Sequence, residues 1–416
     1  MDEGDQRGCV DVWRGQVDAS APDDFQFKRA MGKAPDNNLT LKWAHGFRSF
    51  DTRGNLRYAA DGSVVFTTAG VGVVQDLQQN KQEFFNLHHE DIVAFAMHPN
   101  KDIVATGQMA GKALNGPKSN VKGGGKKKDL AQGKLVDIYV WSASTREVLA
   151  KITGFHRRAI SQLAFSPSGK KLLSIGKDDH NSVAVYDWAT QAMLGNAKVD
   201  PGQVFSAAWK NETEFSTCGV KHMKVFSFSG SNLNGKKGSY LQTLGNVAMT
   251  CVAYVLNGVL VTGAQNGGLV KWNGSSAGKP IKQHTDAIWA IENGKQGSNS
   301  FITGGNEGKI IIWNQSFAPT NTIDLNGKVK YSPGLRSIDV RSDGHLLVGT
   351  RGADVIEVTP NGDVTRTIVQ GHFQGVTKNP EVWGLAAHPT EQKFASAGAD
   401  KTVRTYEPSR MIAVSE

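Results

Sequence analysis

Short runs of alternating hydrophobic and polar residues recur along most of this chain, and the clearest unit spans residues 284–313. Successive side chains of a strand point to opposite faces, so such alternation predicts strands. The unit contains a first strand with Ile288 and Ala290, a second over Phe301, Ile302 and Thr303, and a third over residues 309–312 that ends on Trp313. Three short strands cannot bury both of their faces alone. The pattern therefore predicts copies of the unit beside it.

Copies of this unit are present at intervals of about 40–50 residues, apart from one longer interval. A glycine ends each second strand, at Gly107, Gly176, Gly219, Gly263, Gly304, Gly349 and Gly398. An aromatic residue or a substitute ends each third strand, at Trp141, Trp188, Phe226, Trp272, Trp313, Val358 and Tyr406. This period with several strands per unit is typical of a WD-repeat β-propeller, whereas tetratricopeptide and ankyrin units are shorter and helical. We predict an all-β, seven-bladed propeller with seven repeats over residues 86–408.

Polar residues at repeat boundaries are expected to support this fold. A histidine begins four of the repeats, at His89, His156, His284 and His372, and each is expected to form hydrogen bonds within its blade. Turn acids, namely Asp178, Asp179 and Asp400, are expected to accept hydrogen bonds from backbone N–H groups. Trp289 and Trp383 lie in first strands, where we expect them to pack between blades.

Residues 41–85 contain aromatic side chains and two strand-like runs joined by a turn at residues 60–62. The aromatic residues are Trp43, Phe47, Phe50, Tyr58 and Phe66. The run GFRSFDTRGNLRY…GSVVFTTAGVGVV resembles the HELP motif of the echinoderm microtubule-associated protein-like family, and HHEDIVAFAMHPNKDIVATGQMAGK resembles that family's first repeat. The resemblance covers about residues 43–408.

This resemblance implies two propellers in tandem, with the HELP segment sealing them together. We predict an N-terminal arm at residues 1–40, a HELP segment at 41–85, the propeller at 86–408 and a tail at 409–416 that supplies an outer strand or leads into a further domain. The second propeller is absent from this chain. The five HELP aromatics are therefore predicted to form an apolar contact, either with the rest of a longer chain or with another protein.

The segment at residues 112–134 contains seven lysines, one aspartate and three successive glycines, which predicts a flexible basic loop within the first repeat. The lysines are Lys112, Lys118, Lys122, Lys126, Lys127, Lys128 and Lys134. They hold most of the chain's formal net charge of +9. Lysines without interleaved aromatics indicate a diffuse electrostatic contact rather than a nucleic-acid reader. The acidic surface of tubulin is the partner that the family implies for this loop, and a solvated loop with no dedicated partner is the alternative.

Several function classes find no support in the sequence. No apolar run approaches the ~20 residues of a membrane helix, the polar N-terminus is not a secretory signal, and the three cysteines show no metal spacing. No nucleophile elbow, HExxH motif or phosphate-binding P-loop is present. We therefore predict no enzyme activity, no cofactor, no metal, no membrane partner and no nucleic-acid partner.

The resemblance implies a non-catalytic microtubule-associated protein that binds tubulin, or a microtubule-bound complex, through the propeller surfaces and the basic loop. It implies a place in the cytoplasm and on the cytoskeleton, with the ciliary axoneme as one setting and axonemal proteins as further partners. The alternative is a general WD-repeat interaction scaffold with no direct tubulin contact, because propellers serve many functions.

Overall fold

A computed structural model describes residues 39–110, 136–373 and 381–415. These ranges form eight antiparallel sheets and one short helix, α1 (Leu241–Leu244). The first four sheets contain, in order, β1 (Leu56–Tyr58), β2 (Val64–Thr68), β3 (Val71–Asp76) and β4 (Lys81–Phe85); β5 (Ile92–Met97), β6 (Ile103–Gln108), β7 (Ile138–Ser142) and β8 (Val148–Ile152); β9 (Ile160–Phe165), β10 (Lys171–Gly176), β11 (Val183–Asp187) and β12 (Ala192–Ala197); β13 (Val204–Trp209), β14 (Glu214–Gly219), β15 (His222–Ser229) and β16 (Asn232–Lys237).

The other four described sheets repeat this up-and-down order, and sheet 5 has one additional short strand that pairs with β19. Their strands are β17 (Met249–Val255), β18 (Val259–Ala264), β19 (Gly268–Asn273), β20 (Ser276–Ala277) and β21 (Ile281–Lys282); β22 (Ile288–Asn293), β23 (Ser300–Gly305), β24 (Lys309–Asn314) and β25 (Pro319–Asp324); β26 (Leu335–Val340), β27 (Leu346–Thr350), β28 (Asp354–Val358) and β29 (Val364–Gln370); β30 (Val382–Ala387), β31 (Phe394–Gly398), β32 (Val403–Glu407) and β33 (Arg410–Ser415). The prediction of an all-β propeller built from repeated four-stranded units is confirmed.

The repeated glycine lies where the next sheet packs closest. A Cβ atom on Gly107 would lie 2.7 Å from the Cβ of Ile160 in β9, and one on Gly304 would lie 2.6 Å from Cδ1 of Ile338 in β26. These distances are too short for non-bonded carbon atoms, so glycine is needed for neighbouring sheets to pack together. On Gly349, in the sheet of the sixth repeat, a Cβ atom would lie 2.7 Å from the ring of Phe47. The HELP segment therefore occupies the place of the next blade.

Buried hydrophobic clusters show how the sheets are arranged around the molecule. In the described residues, seven clusters join neighbouring sheets in the order 1–2, 2–3, 3–4, 4–5, 5–6, 6–7 and 7–1. The last of these packs Leu56 and Phe66 of sheet 1 against Leu347 and Val355 of sheet 7. Sheets 1 to 7 consequently form a closed ring, and sheet 1 from the HELP segment is one of its members.

This arrangement differs from the predicted division of the chain. The sequence assigned all seven blades to the repeats of residues 86–408 and placed the segment at 41–85 before the propeller. In the structure the first six repeats and the HELP sheet form the ring, because the HELP side chains fill the gap between sheets 7 and 2. The predicted blade count is not confirmed in its original form. The predicted tail supplies β33, the outer strand of sheet 8.

Polar contacts also close the ring between residues that are far apart in sequence. The backbone N–H of Tyr58 donates to the Asp339 carboxylate at 2.7 Å, and its hydroxyl donates to Glu357 at 2.7 Å. Nε of Arg336 donates to the carbonyl of Ser49 at 2.9 Å. Buried polar groups that find such partners fix the register in which the two ends of the ring meet.

Sheet 8 lies outside this ring. Its residues belong to none of the seven clusters, and Trp383 and Leu385 of β30 are 74% and 78% exposed. It contacts the rest of the chain at its edge, where the rings of His45 and Tyr406 lie 4.4 Å apart and the Arg404 guanidinium lies 5.2 Å from the Tyr331 ring. Trp383 was predicted to pack between blades, and this is wrong for the described residues because no sheet covers β30.

The predicted histidine contacts are present in three of the four repeats. His156 lies 2.7 Å from the Ser174 hydroxyl, and His284 and His372 make equivalent contacts with Thr303 and Ser396. In the first repeat the buried histidine is His88 rather than His89, since His88 lies 2.7 Å from the Thr106 hydroxyl. His89, one residue later, is exposed.

One of the predicted strand-closing aromatics is also shifted. Tyr186 pairs with Leu172 and is buried at the position that Trp141 and Trp313 occupy in their own sheets. Trp188 follows β11 and donates from Nε1 to the carbonyl of Gly169 at 2.6 Å. The sequence pattern marks the end of the strand but does not distinguish two aromatics that lie two residues apart, because both project to the same face.

The buried hydroxyl in each second strand is a testable element of stability. Thr303 accepts from Trp313 Nε1 at 2.8 Å and lies 2.7 Å from His284 Nε2, whereas Thr262 accepts from Trp272 Nε1 at 2.9 Å in a repeat that has no such histidine. Thr303→Val should therefore strand two polar groups and Thr262→Val only one. We expect Thr303→Val to lower the free energy of unfolding by about 1–3 kcal/mol more than Thr262→Val, measured by urea denaturation. Equal losses would show that the histidine contact contributes nothing.

Candidate functional site

The first strands of the ring sheets surround a central cavity of about 290 Å³. Strands β13, β17, β22 and β26 supply much of its wall, and the loop before β1 reaches into it from the HELP segment. Small side chains such as Ala207 and Ala290 are half-exposed in mid-strand, which shows that the cavity is open to solvent. The side chains with polar or aromatic character that line it include Arg53, Arg57, Phe205, Trp289, Glu292 and Arg336.

One of the three arginines in the cavity is already paired. Arg57 lies 3.2 Å from the Glu292 carboxylate and donates to the carbonyls of Leu56 and Ile338 at 2.9 and 3.1 Å. Burial raises the pKa of Glu292, and the charge of Arg57 opposes that shift. The pair neutralises itself and provides hydrogen bonds between sheets 1 and 7.

The other two arginines share the indole of Trp289. The guanidinium carbon of Arg53 lies 3.7 Å from the Trp289 ring centroid and that of Arg336 lies 5.5 Å from it, while Phe205 packs edge-on at 5.9 Å. Burial lowers the pKa of Arg53 to about 10, and burial together with the charge of Arg53 lowers that of Arg336 to about 9. Both side chains are thus charged at neutral pH, and the cavity holds two cations beside one aromatic face.

Sequence reasoning did not identify this site. It assigned Trp289 to packing between blades, whereas the structure places it on the cavity wall. The signal that could have helped is the arginine-rich run of the HELP segment, since Arg48, Arg53 and Arg57 recur within ten residues of one another. Their meeting with Arg336 depends on how the ring closes.

The predicted basic loop lies outside the described residues. The seven lysines Lys112, Lys118, Lys122, Lys126, Lys127, Lys128 and Lys134 all fall in residues 111–135, between β6 and β7 of sheet 2. Their role as a partner contact stays a prediction.

The HELP aromatics lie at or near the inner surfaces of the ring. Phe47, Tyr58 and Phe66 are buried in the cluster between sheets 1 and 7, so no separate protein is needed to cover them. Phe50 is half-buried beneath the Arg48 guanidinium at 4.8 Å, and Trp43 is half-buried near His45. The structure thus brings three of the five predicted contact residues together in the core.

Two of the three predicted turn acids accept backbone hydrogen bonds. Asp178 accepts from the N–H groups of His180 and Ser182, and Asp400 accepts from the N–H of Thr402. Asp179 instead pairs with Arg158 at 2.8 Å. In the part of the chain that the structure describes, no group of three or more His, Cys, Asp or Glu side chains could hold a metal ion. The same residues include no helix that is long and apolar enough to cross a membrane.

Comparison with protein families identifies three matching segments. Residues 81–358 match the first β-propeller of the echinoderm microtubule-associated proteins, residues 34–73 match the HELP motif, and residues 362–407 match a WD domain of the G-beta repeat type. The first of these covers well over half of the chain. Its end at residue 358 agrees with a ring that stops within sheet 7 and leaves sheet 8 apart.

Curated relatives match over most of the chain. It is 28% identical over 380 residues to echinoderm microtubule-associated protein-like 1 of Rattus norvegicus, which covers 89% of this chain and 44% of that relative. It is 27% identical over 382 residues to the 77 kDa echinoderm microtubule-associated protein of Lytechinus variegatus, which covers 90% of this chain and 53% of that relative. The chain therefore spans about half the length of these relatives.

Proposed function

The chain belongs to the echinoderm microtubule-associated protein family, and from that membership we propose that it is a non-catalytic microtubule-associated protein that binds tubulin or a microtubule-bound complex. The observation that carries the proposal is the family match over residues 81–358 directly after the HELP match at 34–73. Curated relatives that align with most of the chain are themselves named microtubule-associated proteins. The proposed setting is the cytoplasmic cytoskeleton, with axonemal microtubules included.

A rigid ring with loops on its faces and edge supplies the binding surface in this proposal. The closed set of seven clusters holds the sheets in fixed positions, so loops between strands are presented without a large ordering cost. The seven lysines of residues 112–134 add long-range attraction to an acidic partner. Attraction between exposed charges is screened over about 8 Å at physiological ionic strength, so this contribution must fall as salt rises.

Co-sedimentation with microtubules across a salt series tests the proposal. The intact chain should pellet, and a variant with the seven loop lysines changed to serine should bind at least about tenfold more weakly with a smaller salt dependence. The matched control changes seven exposed lysines of the described ring to serine, namely Lys198, Lys221, Lys236, Lys237, Lys279, Lys282 and Lys295. This control loses the same charge from other positions.

The outcomes distinguish the possible contacts. If the loop variant and the control lose affinity equally, the attraction is diffuse and the loop has no special role. If both pellet like the intact chain, the contact lies on the ring surface. If the intact chain itself fails to pellet, direct microtubule binding by this chain is wrong and the general interaction scaffold replaces it.

A further inference from the structure

We propose that the central cavity is a carboxylate-binding site, in which Arg53 and Arg336 hold an acidic side chain of a protein segment beside Trp289. The site goes beyond the microtubule contact proposed above and does not depend on it. It uses residues of the inner wall of the ring, whereas the basic loop extends from the second sheet.

The first argument is the uncompensated charge. Arg57 and Glu292 form their own pair at 3.2 Å, which leaves Arg53 and Arg336 as two further positive charges in the cavity. Within residues 39–110, 136–373 and 381–415, neither of these two arginines forms a salt bridge with a carboxylate. Like charges that share one aromatic face repel each other, and an anion between them removes that repulsion.

The second argument is the unused hydrogen-bonding capacity. Arg336 is only 7% exposed, and its Nε donates to the Ser49 carbonyl. Its Nη1 and the Nε of Arg53 are buried with no hydrogen-bond partner among the described residues. Buried donors are nearly always satisfied in folded proteins, and an unpaired one costs free energy. A bidentate carboxylate matches the planar fork of a guanidinium and would satisfy these groups.

The third argument selects the occupant. Half-buried Phe205 and Trp289 line the cavity beside the arginines, so the site offers apolar surface for the stem of an acidic side chain next to the charges that bind its head. A volume of about 290 Å³ accepts a short segment but not a folded element. Glu292 in the same wall disfavours a dianion more than a monoanion, so a carboxylate is preferred to a phosphoryl group of nearly two negative charges.

Fluorescence anisotropy of a labelled, end-blocked peptide with two central glutamates flanked by leucine and glycine tests the proposal, with the full chain at physiological salt. Arg336→Gln should weaken binding about tenfold or more, because it removes a charge-assisted bidentate partner. Arg53→Gln should do the same. Arg366→Gln, at an exposed position in β29, removes the same charge elsewhere and should leave binding within about twofold.

Further peptide and variant arms make the test decisive. The same peptide with glutamine in place of glutamate should not bind, and one with phosphoserine should bind more weakly than the glutamate peptide. Tighter binding of the phosphoserine peptide, or equal losses in Arg336→Gln and Arg366→Gln, overturns the proposal. Arg336→Lys keeps the charge but not the planar fork, so it should recover only part of the affinity, and a thermal melt of each variant confirms that it is folded.

Discussion

Leu56→Ala should lower the free energy of unfolding by about 2–5 kcal/mol, the range for a buried leucine that leaves a cavity. Leu56 is fully buried in β1, and its Cδ2 would lie 3.3 Å from a Cβ atom added to Gly349. It packs in the cluster that joins sheet 1 to sheet 7. The loss should appear in the midpoint of urea denaturation of the whole ring, because the HELP sheet closes it.

Leu87→Ala is the matched control, since it makes the same substitution shortly after β4 at a side chain that is 53% exposed. It should change the free energy of unfolding by less than about 0.5 kcal/mol. If Leu56→Ala behaves like this control, or if the chain from residue 86 onward folds with the same stability when residues 1–85 are removed, the HELP sheet is not a member of the ring.

The local structure of the ring could be predicted from the sequence, because the features that determine it lie close together in the chain. Alternation marked the strands, and the glycine at the end of each second strand is required by the approach of the next sheet, as at Gly107 and Gly304. Tyr186 and His88 were missed because each lies within two residues of a similar side chain that fits the same pattern. Such errors concern register within a strand and not the fold.

Ring closure could not be predicted in the same way. Every repeat exposes a similar face to its neighbour, so nothing local shows whether sheet 1 or sheet 8 packs against sheet 7. Contacts such as Tyr58 to Glu357 join residues about 300 positions apart and make that choice. The arginine cavity depends on the same closure, since Arg53 and Arg336 meet only when sheets 1 and 7 are neighbours.

Acidification should destabilise the protein through its buried histidines. Burial lowers the pKa of His88 and of His156 from the usual 6.5 to about 4, and the hydrogen bond from Gln108 at His88 and the charge of Asp178 at His156 oppose the shift only in part. The unfolded chain therefore takes up protons at these histidines from about pH 6.5, whereas the folded protein takes them up only near pH 4. The stability they contribute is present above pH 6.5 and is lost as the pH falls through this window, on the order of 3 kcal/mol for each histidine.

His156→Gln isolates one of these contributions. Burial raises the pKa of Asp354 to about 6, so that carboxyl gains stability as the pH falls and partly hides the histidine effect in the intact protein. The difference between His156→Gln and the intact chain cancels this contribution. The variant will be less stable at pH 7 because it loses the contact with Ser174, but its free energy of unfolding should fall less steeply between pH 6.5 and 4, by on the order of 3 kcal/mol across the window. His180→Gln, at an exposed position in the turn after β10, should leave the slope unchanged. Parallel curves for His156→Gln and the intact chain would mean that His156 is protonated as readily in the folded protein as in the unfolded chain, and its burial would then carry no pH dependence.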